Sequence, residues 1–250
     1  MMTASSMFDF PQIDVCESAV ACSQCGKPLQ DNAIRYINGE AFCNSVCETL
    51  HNNKAKYGSK ISAILEANTK PLYRNSDIEL LKQNLTHPER IEQVLNWSIT
   101  DNSPNGLIIY GESGAGKTRA LTLLLKKLIT QDLIGVANHS LKVFYAGELE
   151  RSVMSSFGEI KNYDKLIANL SNVGLLVIDD FGKEKFTERY EVAIFSIFEN
   201  RISNLKPTIF TTNFVGKSFQ DRFSSAEQFL PFYRRIKEFN TAINFKRKEK

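Results

Sequence analysis

No stretch of this chain reaches the roughly 18–20 consecutive apolar residues that a membrane-crossing helix requires. Residues 1–15 lack both a positive n-region and an apolar h-region, so no secretory signal peptide is expected there. A strong imbalance of charge is missing too. The net charge of +3 over 250 residues is far below the footprint of a chain that holds nucleic acid by charge alone. Internal repeats and low-complexity tracts are absent. These absences point to a cytoplasmic protein with no membrane partner, whose thiols stay reduced. The chain does have the apolar content to bury a real core, with 42% hydrophobic and 24% charged residues. Its length suits one large domain, or one domain plus a small module.

The strongest local signal is Gly111-Glu112-Ser113-Gly114-Ala115-Gly116-Lys117-Thr118, which reads G-x-x-x-x-G-K-[ST]. Leu107-Ile108-Ile109-Tyr110 precedes it as a β-prone run. Leu121, Leu124, Leu125 and Leu128 follow at helical spacing. A strand, a glycine-rich turn and a helix N-terminus together aim backbone N–H groups and a positive dipole end at an anion. In that setting Lys117 supplies a point charge for the β- and γ-phosphates of a nucleotide, and the Thr118 hydroxyl a ligand for Mg²⁺.

Downstream, strands alternate with helices. Lys142–Tyr145, Leu175–Ile178, Thr208–Thr212 and Thr241–Phe245 read as strands. Residues 148–157, 163–170 and 187–203 read as helices, the last with Val192, Phe195, Ile197 and Phe198 mostly inward. The pattern predicts an α/β fold, a parallel sheet with helices on both faces. Leu175–Ile178 ends in Asp179-Asp180, carboxylates placed beside the phosphate loop. Asp179 is the metal-side carboxylate, and Asp180 the candidate base or water-orienting group. Asn213, closing the next strand, fits a polar group that reads the γ-phosphate or the attacking water. Arg234-Arg235, on a short helix expected after Pro231, is either a phosphate-binding fork or a surface pair.

The N-terminal part has its own logic. Cys22-x2-Cys25 and Cys43-x3-Cys47 are separated by 17 residues. Between them, Ala33–Ile37, the turn Asn38-Gly39 and Glu40–Phe42 predict a hairpin, and Asn44–Lys56 is helix-compatible. Four thiolates at this spacing suit tetrahedral Zn²⁺, with free thiols or disulfides as alternatives and His51 as a substitute for Cys47. Cys16 falls outside the pattern. Residues 1–15 are expected to be a flexible N-terminus, although Met7, Phe8, Phe10 and Ile13 would also serve a docking segment. The expected division is a zinc-binding module over 16–58, a linker over 59–76 containing a short helix at Lys60–Ala67, and the nucleotide domain over 77–250. In that domain Ile91, Val94, Leu95 and Ile99 form an apolar stripe, Trp97 packs, and Asp101–Gly106 forms a loop.

Taken in order, Gly111–Thr118, Ile178-Asp179-Asp180-Phe181-Gly182, Thr211-Thr212-Asn213 and Arg234-Arg235-Ile236 resemble the DnaC/IstB branch of AAA+ ATPases over residues ~70–250. The resemblance implies ATP/ADP with Mg²⁺, a sensor role for Asn213 and an arginine-finger role for Arg235. It also implies a P-loop AAA+ sheet without a full C-terminal lid. Self-association through composite ATP sites follows, with a hexameric replicative helicase and single-stranded DNA as partners. Residues 148–172 sit where such proteins carry an extra helix facing single-stranded DNA, with Arg151, Lys161 and Lys165 as phosphate contacts. Three functions compete. One is a loader of a ring helicase, the second an ATPase helper of a transposase, and the third an ATP-switched binding module with negligible hydrolysis.

Overall fold

The computed structural model describes residues 21–29, 35–37, 39–99, 106–183 and 186–248. The expectations for residues 1–15, for Cys16, and for the loop at 101–105 lie outside them. The chain separates into two compact units, with the division between Asn52 and Asn53.

In the first unit, β1 (Arg35–Ile37) and β2 (Glu40–Phe42) pair antiparallel, with Ile37 opposite Glu40. A knuckle precedes them, in which the Cys22 N–H donates to the Lys27 carbonyl at 2.9 Å and the Gly26 N–H to the Cys22 carbonyl at 2.8 Å. Helix α1 (Ser45–Asn68) opens where the Asn44 side chain accepts from the Cys47 N–H at 2.9 Å. Phe42, Cys22 and Cys47 form a core too small to order a fold unaided.

Helix α1 corrects an expectation. The helix foreseen over 60–67 is not a separate element in a linker but the last third of one 24-residue helix that runs through Gly58. A mid-helix glycine costs about 1 kcal/mol, and packing overrides it. Tyr57, Ile61, Ile64 and Leu65 join the main core, and the Asn53 amide donates to the Thr130 and Gln131 carbonyls at 2.9 and 3.0 Å. Three short helices follow: α2 (Pro71–Arg74), α3 (Ile78–Gln83) and α4 (Glu89–Leu95). Asp77 caps α3 by accepting from the Glu79 and Leu80 N–H groups.

The second unit is built on β3 (Gly106–Gly111), β4 (Leu141–Phe144), β5 (Leu175–Ile178), β6 (Thr208–Thr212) and β7 (Asn240–Phe245). All are parallel, in the order β4-β5-β6-β3-β7. Period-2 alternation divides the central strands β3, β5 and β6 between two cores. Leu107, Ile109, Val177, Ile209 and Ile243 face α5 (Lys117–Thr130), with α1 and α4 packed behind. Ile108, Leu176, Ile178 and Phe210 face α6 (Glu148–Ser156), α7 (Ile160–Asn172), α8 (Glu188–Ser203) and α10 (Ala226–Phe239). A short α9 (Lys217–Gln220) brings Phe219 into the same aromatic cluster.

Two further expectations change. Val192 is exposed, because α8 turns Tyr190, Ile194, Ile197 and Arg201 inward at 3.6-residue spacing and leaves Val192 on the opposite face. The short helix after Pro231 is the second half of α10, which starts at Ala226 where the Ser225 hydroxyl accepts from the Gln228 N–H. Trp97 is buried as expected, although its indole N–H has no partner among the described residues. After β7, residues 246–248 pair with 84–86, through Thr86 N–H to the Lys246 carbonyl (3.0 Å) and Lys248 N–H to the Asn84 carbonyl (3.1 Å).

Candidate nucleotide site

The phosphate loop runs from the end of β3 into α5. Gly116 caps the helix with φ +89°, and a Cβ there would stand 2.2 Å from the Leu81 Cδ1. Both facts require glycine, the first because L-residues avoid that conformation and the second because Leu81 is held in the core. Lys117 is buried beneath the loop, where its ammonium donates to the Gly111 and Glu112 carbonyls at 3.0 and 2.7 Å. Burial lowers its pKa, opposed by the nearby charges of Asp180, Asp179 and Glu112.

Asp179 ends β5 directly alongside. Its carboxylate accepts from the Thr118 hydroxyl at 3.0 and 3.1 Å and from the Thr211 hydroxyl at 2.7 Å. Burial raises its pKa. The Thr211 and Thr118 hydrogen bonds oppose that rise, and the neighbouring Asp180 charge adds to it. A buried carboxylate with a costly charge, touching a threonine hydroxyl, is a donor pair that a hard divalent cation suits. The chain then turns sharply. Asp180 takes φ +58°, and its N–H donates to the Thr211 hydroxyl at 2.8 Å. The Phe181 N–H donates to the Thr211 carbonyl and the Thr212 hydroxyl to the Phe181 carbonyl, each at 2.8 Å. The ends of β5 and β6 are thereby tied together, which sets the Asp180 and Asn213 positions relative to the loop.

A cleft of about 510 Å³ opens above these groups. Ser113, Gly114, Gly116, Lys117, Thr118, Asp180 and Asn213 line it, so residues from three separate strand ends meet at one place. Gly111, Glu112 and Ala115 shape the loop without lining the cleft. Arg235 is elsewhere. It sits on α10 and pairs with Glu199 of α8. Arg151 lies on α6, and Lys161 and Lys165 on α7, none of them among the groups lining the cleft. The sequence reading missed Leu72 and Tyr73 of α2, Arg119 and Lys183, all of which line the cleft. The Arg119 guanidinium lies 5.9 Å from the Tyr73 ring centre. The reading also missed Thr211, fully buried and bonded to both aspartates. Its position two residues before Asn213 was the one available signal.

No protein-family profile matches the chain. Solved structures resemble it strongly in architecture. The crystal structure of the DnaC helicase loader aligns with a TM-score of 0.55 at 22% identity, over 71% of this chain and 100% of that one. That of DnaI gives 0.51 at 22% identity, over 69% and 87%. The fold is the AAA+ P-loop fold. The replication initiator DnaA bound to AMPPCP and single-stranded DNA shares it, with a TM-score of 0.51 and 16% identity, over 71% of this chain and 50% of that one. In sequence, the chain is 26% identical to the chromosomal replication initiator DnaA of Mycoplasma genitalium over 197 residues, 74% of this chain and 43% of that protein. It is 33% identical to DnaA of Mycoplasma pneumoniae over 119 residues, 45% of this chain and 25% of that protein. The chain thus spans less than half the length of these curated relatives. Among the described residues, no helix of this chain is long and apolar enough to cross a membrane.

In the first unit, the Cys22, Cys25, Cys43 and Cys47 sulfurs all lie within 4.8 Å of one another. Cys25 and Cys43 are 3.7 Å apart, and Cys43 and Cys47 are 3.4 Å apart. Sulfurs around a tetrahedral ion at about 2.3 Å stand about 3.8 Å apart, so the cluster fits one zinc. His51 is not part of it. Its Nε2 pairs with the Glu40 carboxylate at 2.6 Å, and its ring packs on Phe42 at 5.3 Å.

Proposed function

We propose that this chain is a cytoplasmic, ATP-hydrolysing AAA+ replication factor that loads a ring-shaped helicase onto single-stranded DNA. One observation carries the reading: a phosphate loop, Asp180 and a strand-end asparagine line one cleft, with Asp179 bonded to Thr118 of that loop, in a fold that matches the DnaC helicase loader over the whole of that crystallised chain. Lys117 and the loop N–H groups would hold the β- and γ-phosphates. Thr118 and Asp179 would hold Mg²⁺, which offsets phosphate charge when bound. Asp180 would orient the attacking water and Asn213 the terminal phosphate. Arg235, paired with Glu199 in its own subunit, would reach a neighbour's nucleotide on self-association. Cys22, Cys25, Cys43 and Cys47 would hold a structural zinc that supplies folding energy to a unit with little core.

A second reading has its own support, since the curated relatives are DnaA initiators. In that case the chain would engage single-stranded DNA with ATP and need no helicase. The test is retrieval of partners from the native cell with the purified chain and ATP, followed by loading onto circular single-stranded DNA. Recovery of a hexameric helicase that the chain places on the circle supports the loader. Recovery of a transposase, or DNA binding with no helicase, refutes it.

A further inference from the structure

We propose that Lys183 is a second phosphate-binding cation, presented in cis by the turn after β5, and that it distinguishes ATP from ADP. The proposal rests on the nucleotide reading of the cleft. Lys183 lines that cleft together with Lys117, Thr118, Asp180 and Asn213. Its backbone is fixed on both sides. Phe181 is buried against Phe186, Phe198, Phe210 and Phe219, with ring centres 5.3–6.0 Å apart. Gly182 takes φ +84°, and a Cβ there would meet the Phe219 ring at 3.2 Å. On the far side, the Arg222 guanidinium donates to the Lys183 carbonyl at 2.7 Å and covers the Phe214 ring at 4.8 Å. Since Phe214 follows Asn213, Arg222 joins the aspartate turn to the asparagine that ends β6.

The side chain of Lys183 is used differently from its backbone. It is exposed, and its ammonium pairs with no carboxylate among the described residues. The local charge explains what it would bind. Asp180 brings a negative charge to the cleft where a terminal phosphate adds about two more. Lys117 is buried under the loop and Arg119 lies against Tyr73, whereas Lys183 is an exposed cation on the turn that carries Asp180, lining the same cleft as Asn213. A compact ammonium on a flexible stem meets phosphate oxygens as a point charge and tolerates some variation in their position.

The experiment compares ATP and ADP affinity, by calorimetry on the full chain, for wild type, Lys183→Ala, Lys183→Arg and Lys117→Ala. Lys183→Ala should weaken ATP by about 10- to 100-fold, the worth of one hydrogen bond to a charged group, with ADP held within about twofold. Lys183→Arg should recover most of the ATP affinity, and Lys117→Ala should weaken both nucleotides. Equal losses of ATP and ADP in Lys183→Ala, or no loss, would overturn the proposal while leaving the nucleotide site standing. A wild-type chain that binds neither nucleotide would overturn the site itself. Melting temperatures of the variants check that each is folded.

Discussion

Arg201 allows a prediction whose size follows from the structure. Its side chain is fully buried on α8, yet no carboxylate among the described residues hydrogen-bonds or pairs with it. Instead Nε donates to the Thr208 hydroxyl at 2.8 Å, and the terminal nitrogens donate to the Leu170, Val173 and Pro207 carbonyls. Those acceptors are the C-terminal end of α7, the approach to β5 and the start of β6. One planar fork therefore joins α8 to the α7–β5 connection and to the start of β6. Burial alone brings its pKa down to about 10, so the charge itself is a cost and the hydrogen bonds are what keep it there. Arg201→Ala would leave the Leu170 and Val173 carbonyls without a partner, at about 1–3 kcal/mol each, and would open a cavity. Relief of the buried charge returns part of this. The expected net loss is about 3–5 kcal/mol, or about 6–20 °C in melting temperature at about 2–4 °C per kcal/mol. Arg201→Lys should fall between, because it keeps the charge without the fork. Nucleotide affinity of the folded fraction should hardly change, since Asp179 and Asn213 stand at the opposite ends of β5 and β6. Calorimetric melting checks the first claim and a binding titration the second. An Arg201→Ala chain melting within about 2 °C of wild type would refute the reasoning.

Three other outcomes are expected. Lys117→Ala should weaken ATP binding to the point of abolishing it, checked by titration, and Asp180→Asn should bind but hydrolyse slowly, checked by phosphate release; equal turnover in Asp180→Asn and wild type would remove Asp180 from the chemistry. Arg235→Ala should bind ATP normally yet lose assembly-stimulated turnover by about 10³-fold or more, with partial recovery on mixing with Lys117→Ala; wild-type turnover would leave Arg235 with Glu199 alone. The purified chain should carry one zinc by elemental analysis, and Cys25→Ser should release it while nucleotide affinity stays unchanged; a metal-free chain with an ordered cysteine unit would contradict this.

What the sequence alone determined is whatever depends on neighbours along the chain. The loop Gly111–Thr118 declares itself because each residue type is required at a set spacing from the next. The apolar run Leu175–Ile178 ending in two aspartates marks a strand buried on both faces. The cysteine pairs announce a four-sulfur cluster by short spacing within each pair. Alternation of strands and helices implied the parallel sheet, because parallel strands need long crossovers. What tertiary structure decided are relations across those crossovers. Thr211 lies 32 residues from Asp179 and touches it only because β6 settles beside β5. Lys183, Tyr73 and Arg119 share a cleft because a turn, a short helix and the first turn of α5 are packed around it. The Arg235 partner Glu199 comes from a different helix. The continuity of α1 through Gly58 was settled by the core it packs on, since local propensity is worth about 1 kcal/mol and a buried Ile or Leu side chain about 1.5–3.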